Sequence, residues 1–109
     1  MKIYYEQSGG LAGIDINTTV NTNSLPSDEV NKLQDLVNKA DFFSLNSVSS
    51  PPEMGADYFH YRITVEMEDN KNGQKKKHTL EIYDPVPAQL KPLIKYLRSK
   101  AMNKRNNNR

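Results

Sequence analysis

The sequence predicts an α+β domain with the element order ββαββα, in which two helices cover one face of a four-stranded antiparallel sheet. Four runs alternate apolar and polar residues, as strands with one buried face do. Two longer runs place apolar residues three and four positions apart, as amphipathic helices do. A chain of 109 residues suits one domain with one modest core. We expect that domain to span residues 1–104, followed by a disordered basic tail at 105–109.

The first two strands form a hairpin with an unusual connection. Residues 2–7 alternate, with Ile3 and Tyr5 on one face, and alternation returns from residue 12 to residue 20. A tight hairpin needs only two turn residues, but this loop contains three glycines and places Leu11 among them. The question is whether that leucine folds inward or is offered to a partner.

The first helix is predicted between residues 27 and 40, where the spacing of apolar residues changes from that of a strand to that of a helix. Apolar residues recur there at three- and four-residue spacing, which predicts one helical stripe. Ser27 can cap the helix start, and Asp28 and Glu29 suit the positive end of its dipole. Phe42 and Phe43 end the helix and are expected to anchor it to the sheet.

The second hairpin and the second helix complete the domain. Residues 58–68 alternate clearly, residues 69–76 contain an Asn-Gly turn signal, and residues 77–84 form the partner strand. In this hairpin the numbers of paired residues sum to about 143. His60 and His78 are therefore about five residues apart, or roughly 17 Å, too far to share one ion. Both are predicted to lie on the polar face. Pro92 lacks the N–H of a helix interior, so the last helix is expected to begin near Lys91.

Composition indicates a cytoplasmic protein. There is no cysteine, so neither disulfides nor thiolate metal sites are available. The start, MKIYYEQ, turns polar within a few residues, so we expect no signal peptide. No apolar run approaches the roughly 18 residues of a membrane span. We expect no membrane partner.

The sequence contains no catalytic motif, and we expect a protein that is not an enzyme. The sequence has no HExxH pair, no glycine-rich phosphate loop leading into a helix, and no cysteine nucleophile. Asp15, Glu66 and Glu81 can neighbour one another, but surface strands commonly carry such pairs and nothing in the pattern buries them. We expect no cofactor, no bound metal and no small-molecule substrate.

Charge is distributed unevenly along the chain. Residues 91–109 contain seven basic residues and no acid, whereas residues 1–84 contain eight basic and thirteen acidic residues. The basic end could bind nucleic acid. We favour the simpler interpretation, cations that suit a helix C-terminus, because the end carries no aromatic on which a base could stack. A small assembly module that pairs through a sheet edge or an apolar patch is a further alternative.

Four segments occur in an order that resembles a known family: KIYYEQSGGLAGI, LPSDEVNKLQDLVNKADFF, DYFHYRITVE and VPAQLKPLIKYL. Together they are similar to the emfourin family, small bacterial proteins known as inhibitors of protealysin, a thermolysin-like zinc metalloprotease. The resemblance runs from Met1 to about Lys100. The Gly-Gly-x-Ala-Gly loop and the Asp-Phe-Phe after the first helix are its most specific parts. It implies an inhibitor of such a protease.

The resemblance also implies how the first loop could act. Thermolysin-like enzymes cut on the amino side of a large apolar residue, and Leu11 offers one between glycines that permit a close backbone approach. The alternative is that the glycines only serve a turn or bulge while Leu11 folds onto the core. The second candidate surface is the loop from Ser44 to Asp57. The predicted contact residues are Gly9, Gly10, Leu11, Ala12, Gly13, Tyr5, Pro52 and Met54.

Overall fold

A computed structural model of the chain describes residues 1–9, 15–47, 59–69, 73–83 and 86–107, and only the backbone at 68–69, 74 and 103–107. The regular elements are β1 (Lys2–Gly9), β2 (Ile16–Asn21), α1 (Ser27–Ala40), β3 (Phe59–Asp69), β4 (Gln74–Tyr83) and α2 (Lys91–Asn107). Three single 3₁₀ turns occupy Thr22–Ser24, Phe42–Ser44 and Ala88–Leu90. The predicted α+β class and the order ββαββα are confirmed.

The four strands form one sheet in the order β2-β1-β3-β4, and every neighbouring pair is antiparallel. β1 and β3 are therefore central, and β2 and β4 are the two edges. The predicted register of the second hairpin is confirmed, because His60 pairs with Tyr83 and Val65 pairs with His78. The two histidines thus occupy well-separated pairs of that hairpin.

One core lies between the sheet and both helices, as predicted. Alternate strand residues enter it together with one stripe from each helix, because side chains repeat every second residue in a strand and every three to four residues in a helix. Its buried apolar members include Ile3, Tyr5, Ile16, Val20, Leu33, Val37, Ala40, Phe42, Tyr61, Ile63, Val65, Leu80, Ile82, Leu90, Leu93, Ile94, Leu97 and Ala101. The opposite face of the sheet carries mostly polar side chains.

The sequence predicted the cap at the start of α1 wrongly and the end of the helix correctly. Ser27 is the first helical residue, and the capping position belongs to Pro26, which makes no side-chain cap bond. The prediction that Ser27 caps the helix is therefore wrong, because a cap residue must stay outside the helical backbone conformation. At the other end Asp41 turns the chain with φ of 52°, and the buried Phe42 anchors the following turn in the core, as predicted.

α2 begins at Lys91 after the short turn at Ala88–Leu90, as predicted from Pro92. At the second position of a helix, proline lacks a backbone N–H that would have no intrahelical partner. The helix continues to Asn107, past the expected domain end at residue 104. The domain bounds and the tail at 105–109 stay predictions. Among the described residues, no helix is long and apolar enough to cross a membrane.

His78 does not lie on the polar face, which corrects the prediction. His78 lies two residues before Leu80 and four before Ile82 in β4, so its side chain is on the same face as theirs. That face is turned toward the helices. The His78 ring packs edge-on against Phe42, with the centroids 5.5 Å apart. Its Nε2 lies 2.8 Å from the carbonyl oxygen of Leu45. Because a carbonyl only accepts, Nε2 donates this bond and the imidazole is fixed in place.

Candidate functional site

Both predicted contact segments leave the sheet at the same end. The ladder pairs Gly9, the last residue of β1, with Phe59, the first residue of β3. The segment 10–14 therefore leaves β1 beside the point where the segment 48–58 enters β3. Tyr83, the last residue of β4, pairs with His60 at this end as well. We call this edge of the molecule the loop end of the sheet, defined by Gly9, Asp15, Phe59, His60 and Tyr83.

Gly9 is the described part of the predicted glycine loop. Its φ is +97°, a backbone conformation that side-chain-bearing residues rarely adopt, so a glycine is required where the chain leaves β1. Gly10, Leu11, Ala12 and Gly13 lie outside the described residues, as do Pro52 and Met54 of the second candidate segment.

Tyr5 was predicted as a contact residue, and the structure places it elsewhere. None of its surface is exposed, and its hydroxyl donates a hydrogen bond to Oε1 of Gln7, which is also buried. The cause is strand parity, because Tyr5 shares the inward face of β1 with Ile3. Its side chain belongs to the core, and we remove Tyr5 from the predicted contact set.

A row of polar side chains crosses the exposed face next to the loop end. Glu81 Oε1 lies 3.3 Å from His60 Nε2 and 3.2 Å from Arg62 Nη2. Arg62 also reaches Glu6, at 3.7 Å, and the His60 ring lies 4.8 Å from the Tyr83 ring. These groups are partly exposed, so the pairs contribute little stability, but they orient one another across three strands. The alternation of residues in the sequence predicted which side chains lie on this face. Only the pairing register of the strands shows that these side chains are neighbours.

Three cations lie along one side of α2. Lys91, Lys95 and Arg98 are exposed, and their spacing at about 100° per residue places them on the same helix side as Met102. Within the described part of the chain, none of the three has an acidic partner within 4 Å. The Arg98 guanidinium lies 6.0 Å from the Phe59 ring centroid, so this side of α2 adjoins the loop end. We call these three residues the α2 basic stripe.

Lys100 is different, because it joins the two helices. Its Nζ lies 2.8 Å from Glu29 Oε1, and this hydrogen bond raises the pKa of Lys100 and lowers the pKa of Glu29. Tyr96 lies at the same place with its hydroxyl 3.4 Å from Glu29, and burial raises the pKa of the phenol. Part of the predicted basic end is therefore used in packing α2 against α1.

The described residues do not provide a metal site. No group of three or more His, Cys, Asp or Glu side chains in this part of the chain is arranged to hold a metal ion. A shallow depression on the exposed face is lined by side chains of mixed charge and polarity, among them Tyr4, Arg62, Lys77 and Glu81. What the described residues offer is a sheet end at which both predicted contact segments join the strands, next to the exposed polar row of Glu6, Arg62 and Glu81.

Comparison with known proteins agrees with this interpretation. Neither the curated proteins nor the solved structures contain a match to the chain. The sequence profile of one family, Emfourin, matches residues 5–98. This range includes most of the first hairpin, all of α1 and the second hairpin, and the first eight residues of α2. The chain therefore belongs to the Emfourin family, an inhibitor family whose membership indicates a protease-inhibitor domain.

Proposed function

We propose that the protein inhibits a thermolysin-like zinc metalloprotease of the protealysin type in the cytoplasm by blocking the active-site cleft of the enzyme. The observation that carries this proposal is the family match over residues 5–98, which includes the glycine-flanked Leu11. The shape of the described domain is compatible with it, because the segment of Leu11 leaves β1 and the segment of Pro52 and Met54 enters β3 at the same end of the sheet.

The leading contact is the segment from Gly9 to Gly13. In this proposal Leu11 enters the apolar pocket beside the zinc of the enzyme, as the side chain of a substrate would. The ladder holds both flanks of the segment, through the pairs Gly9–Phe59 and Gln7–Ile16. A segment held at both ends loses less conformational entropy on binding than a free peptide does. The same restraint would hinder release after cleavage.

The second contact is the segment that contains Pro52 and Met54. Its start is held next to β4, because Ser47 Oγ accepts a hydrogen bond of 2.8 Å from the backbone N–H of Glu81. Its end enters β3 at Phe59, beside Gly9. Two segments that leave one sheet end can contact one protein surface together.

The direct test is a titration of a thermolysin-like peptidase with the purified protein, measured by hydrolysis of a short peptide substrate. We expect one-to-one inhibition and competition with a small inhibitor that occupies the zinc site. A serine protease assayed in parallel serves as the class control and should keep full activity. A thermolysin-like panel that remains fully active at micromolar inhibitor would contradict the proposal.

Leu11 offers a sharper test of the leading contact. Full burial of a leucine side chain is worth about 1.5–3 kcal/mol, so Leu11→Ala should weaken inhibition about tenfold or more. Leu11→Asp should weaken it further, because it would bring a charge into an apolar pocket. Thermal unfolding is the matched measurement. If Leu11→Ala unfolds the protein while the folded fraction inhibits normally, Leu11 is a core residue and the second segment makes the contact.

The alternative function, weak binding of nucleic acid, would depend on the α2 basic stripe. Three described cations beside an acidic body make a small electrostatic footprint compared with proteins that contact six to ten phosphates. Lys95→Glu with Arg98→Glu would abolish such binding and leave protease inhibition in place. The other alternative, an assembly module, predicts self-association without inhibition.

A further inference from the structure

The two edges of the sheet are protected very differently. β4, one edge, contains three consecutive lysines at Lys75–Lys77, a device that discourages pairing with a foreign strand. It is also partly covered by the chain at residues 45–47, which bonds to His78 and Glu81. β2, the other edge, reads INTTVN and contains neither a charge nor a proline. No described residue outside β1 forms a backbone hydrogen bond with it.

The register identifies which groups of β2 point away from the sheet. Thr22 donates its N–H to the carbonyl of Met1, so this opposed pair is hydrogen-bonded. Such pairs alternate along an antiparallel ladder, so Ile16, Thr18 and Val20 bond to β1. The backbone N–H and C=O groups of Asn17, Thr19 and Asn21 consequently point outward.

The same alternation can be checked at the opposite edge. The alternation of bonded pairs can be followed from β2 through β1 and β3 to β4. It then predicts that the backbone groups of Lys77, Thr79 and Glu81 in β4 point outward. Glu81 does direct its N–H away from β3, to Ser47 Oγ at 2.8 Å. The assignment for β2 therefore agrees with an independent contact, and β2 presents three residues to a further strand.

We propose that β2 pairs with an extended segment of the target protease, which adds to the sheet as a fifth strand. This inference rests on the proposed function and deepens it. The edge begins at Ile16, just after Asp15, where the segment of Leu11 returns to the sheet. A partner strand on β2 would thus lie beside the leading contact and extend the same interface. Strand addition uses main-chain hydrogen bonds and suits an edge that carries no charge.

A second copy of the chain is a less suitable occupant of the same edge. A stable dimer needs about 1,200 Å² or more of buried surface, usually with an apolar centre. β2 offers only six residues, and its exposed side chains at Asn17 and Thr19 are polar. Among the described residues, Met102 is the one large apolar side chain that is exposed, and it lies on α2. The edge is adequate as one part of a larger interface but not as a whole one.

The test compares amide hydrogen exchange in the free protein and in its complex with an inhibited thermolysin-like protease. We expect the amides of Asn17, Thr19 and Asn21 to exchange at least about tenfold more slowly in the complex, because each becomes hydrogen-bonded. The amide of Thr79 points outward from β4 and is the internal control, which should keep its free rate. In parallel, Thr19→Pro removes one outward donor without touching the ladder to β1, and Thr19→Ala keeps the donor. Inhibition should weaken about tenfold or more in Thr19→Pro and clearly less in Thr19→Ala, because only the proline variant loses the backbone donor.

The outcomes separate this inference from the function on which it rests. Inhibition with unchanged exchange at all three β2 amides would overturn strand pairing while leaving the inhibitor function intact. Slow exchange that depends on the concentration of the free protein would assign the edge to a second copy and overturn it as well. A wild-type protein that does not inhibit would overturn both. If Thr19→Pro fails to fold, the exchange measurement on the unaltered chain decides.

Discussion

Replacing Tyr5 by phenylalanine should destabilise the domain and leave inhibition unchanged. The Tyr5 hydroxyl donates to Oε1 of Gln7, and both side chains are almost completely buried on the inner face of β1. Tyr5→Phe leaves the Gln7 oxygen in the core without this donor, which costs about 1–3 kcal/mol. For a domain of this size each kcal/mol lowers the melting temperature by about 4–8 °C. Urea unfolding should report the same loss at an unchanged m-value.

The matched variant replaces both partners. Tyr5→Phe combined with Gln7→Leu removes the donor and the acceptor together, so most of the lost stability should return. Inhibition by the folded single variant should match that of the original protein, because Tyr5 has no exposed surface with which to contact a protease. If Tyr5→Phe instead weakens inhibition at unchanged stability, the burial of Tyr5 and our correction of its role are wrong.

Two further predictions concern the packing of α2. The pKa of Glu29 is lowered in the folded protein, so its stabilising contribution is present above its unfolded pKa and is lost as pH falls through the folded pKa. Glu29→Gln should therefore flatten the acidic limb of a curve of stability against pH. An unchanged acidic limb would contradict this prediction. A chain that ends at Met102 should keep the melting temperature of the full chain. A chain that ends at Ser99 should melt several degrees lower, because it lacks Lys100 and the buried Ala101. Equal melting temperatures of the two truncated chains would refute this account.

The parts of the fold that the sequence predicted are those fixed by local periodicity. Strand alternation and the Asn-Gly turn give the register of the second hairpin, and Pro92 gives the start of α2. The cap of α1 was mispredicted because Ser27 and Pro26 both occur at its start and the backbone conformation, not the side chain, decides which residue is the cap. His78 was misplaced by its polarity, although its parity with Leu80 and Ile82 already indicated the inner face.

The candidate site depends on information that no local pattern carries. The loop end forms because β1 pairs with β3, whose residues lie 50 or more positions away from their partners in the chain. The bond from Glu81 to Ser47 likewise joins residues 34 positions apart. The sequence predicts the glycine-flanked leucine as a contact, a prediction that stays untested, but only the sheet order shows that the second candidate segment enters β3 at the same end.

The difference between the two edges follows from where each connection of the chain runs. After α1 the chain passes β4 on its way to β3, so residues 45–47 cover part of that edge, and the lysines of β4 protect the part nearer the turn. After β2 the chain turns at Thr22–Ser24 into α1, which packs on the inner face, and no described residue outside β1 forms a backbone hydrogen bond with β2. Within the described residues one edge is protected twice and the other is not, and this difference needs a reason, since an open edge invites unwanted pairing. Pairing of β2 with the target supplies that reason, because the interaction to be avoided elsewhere becomes the one that the inhibitor uses.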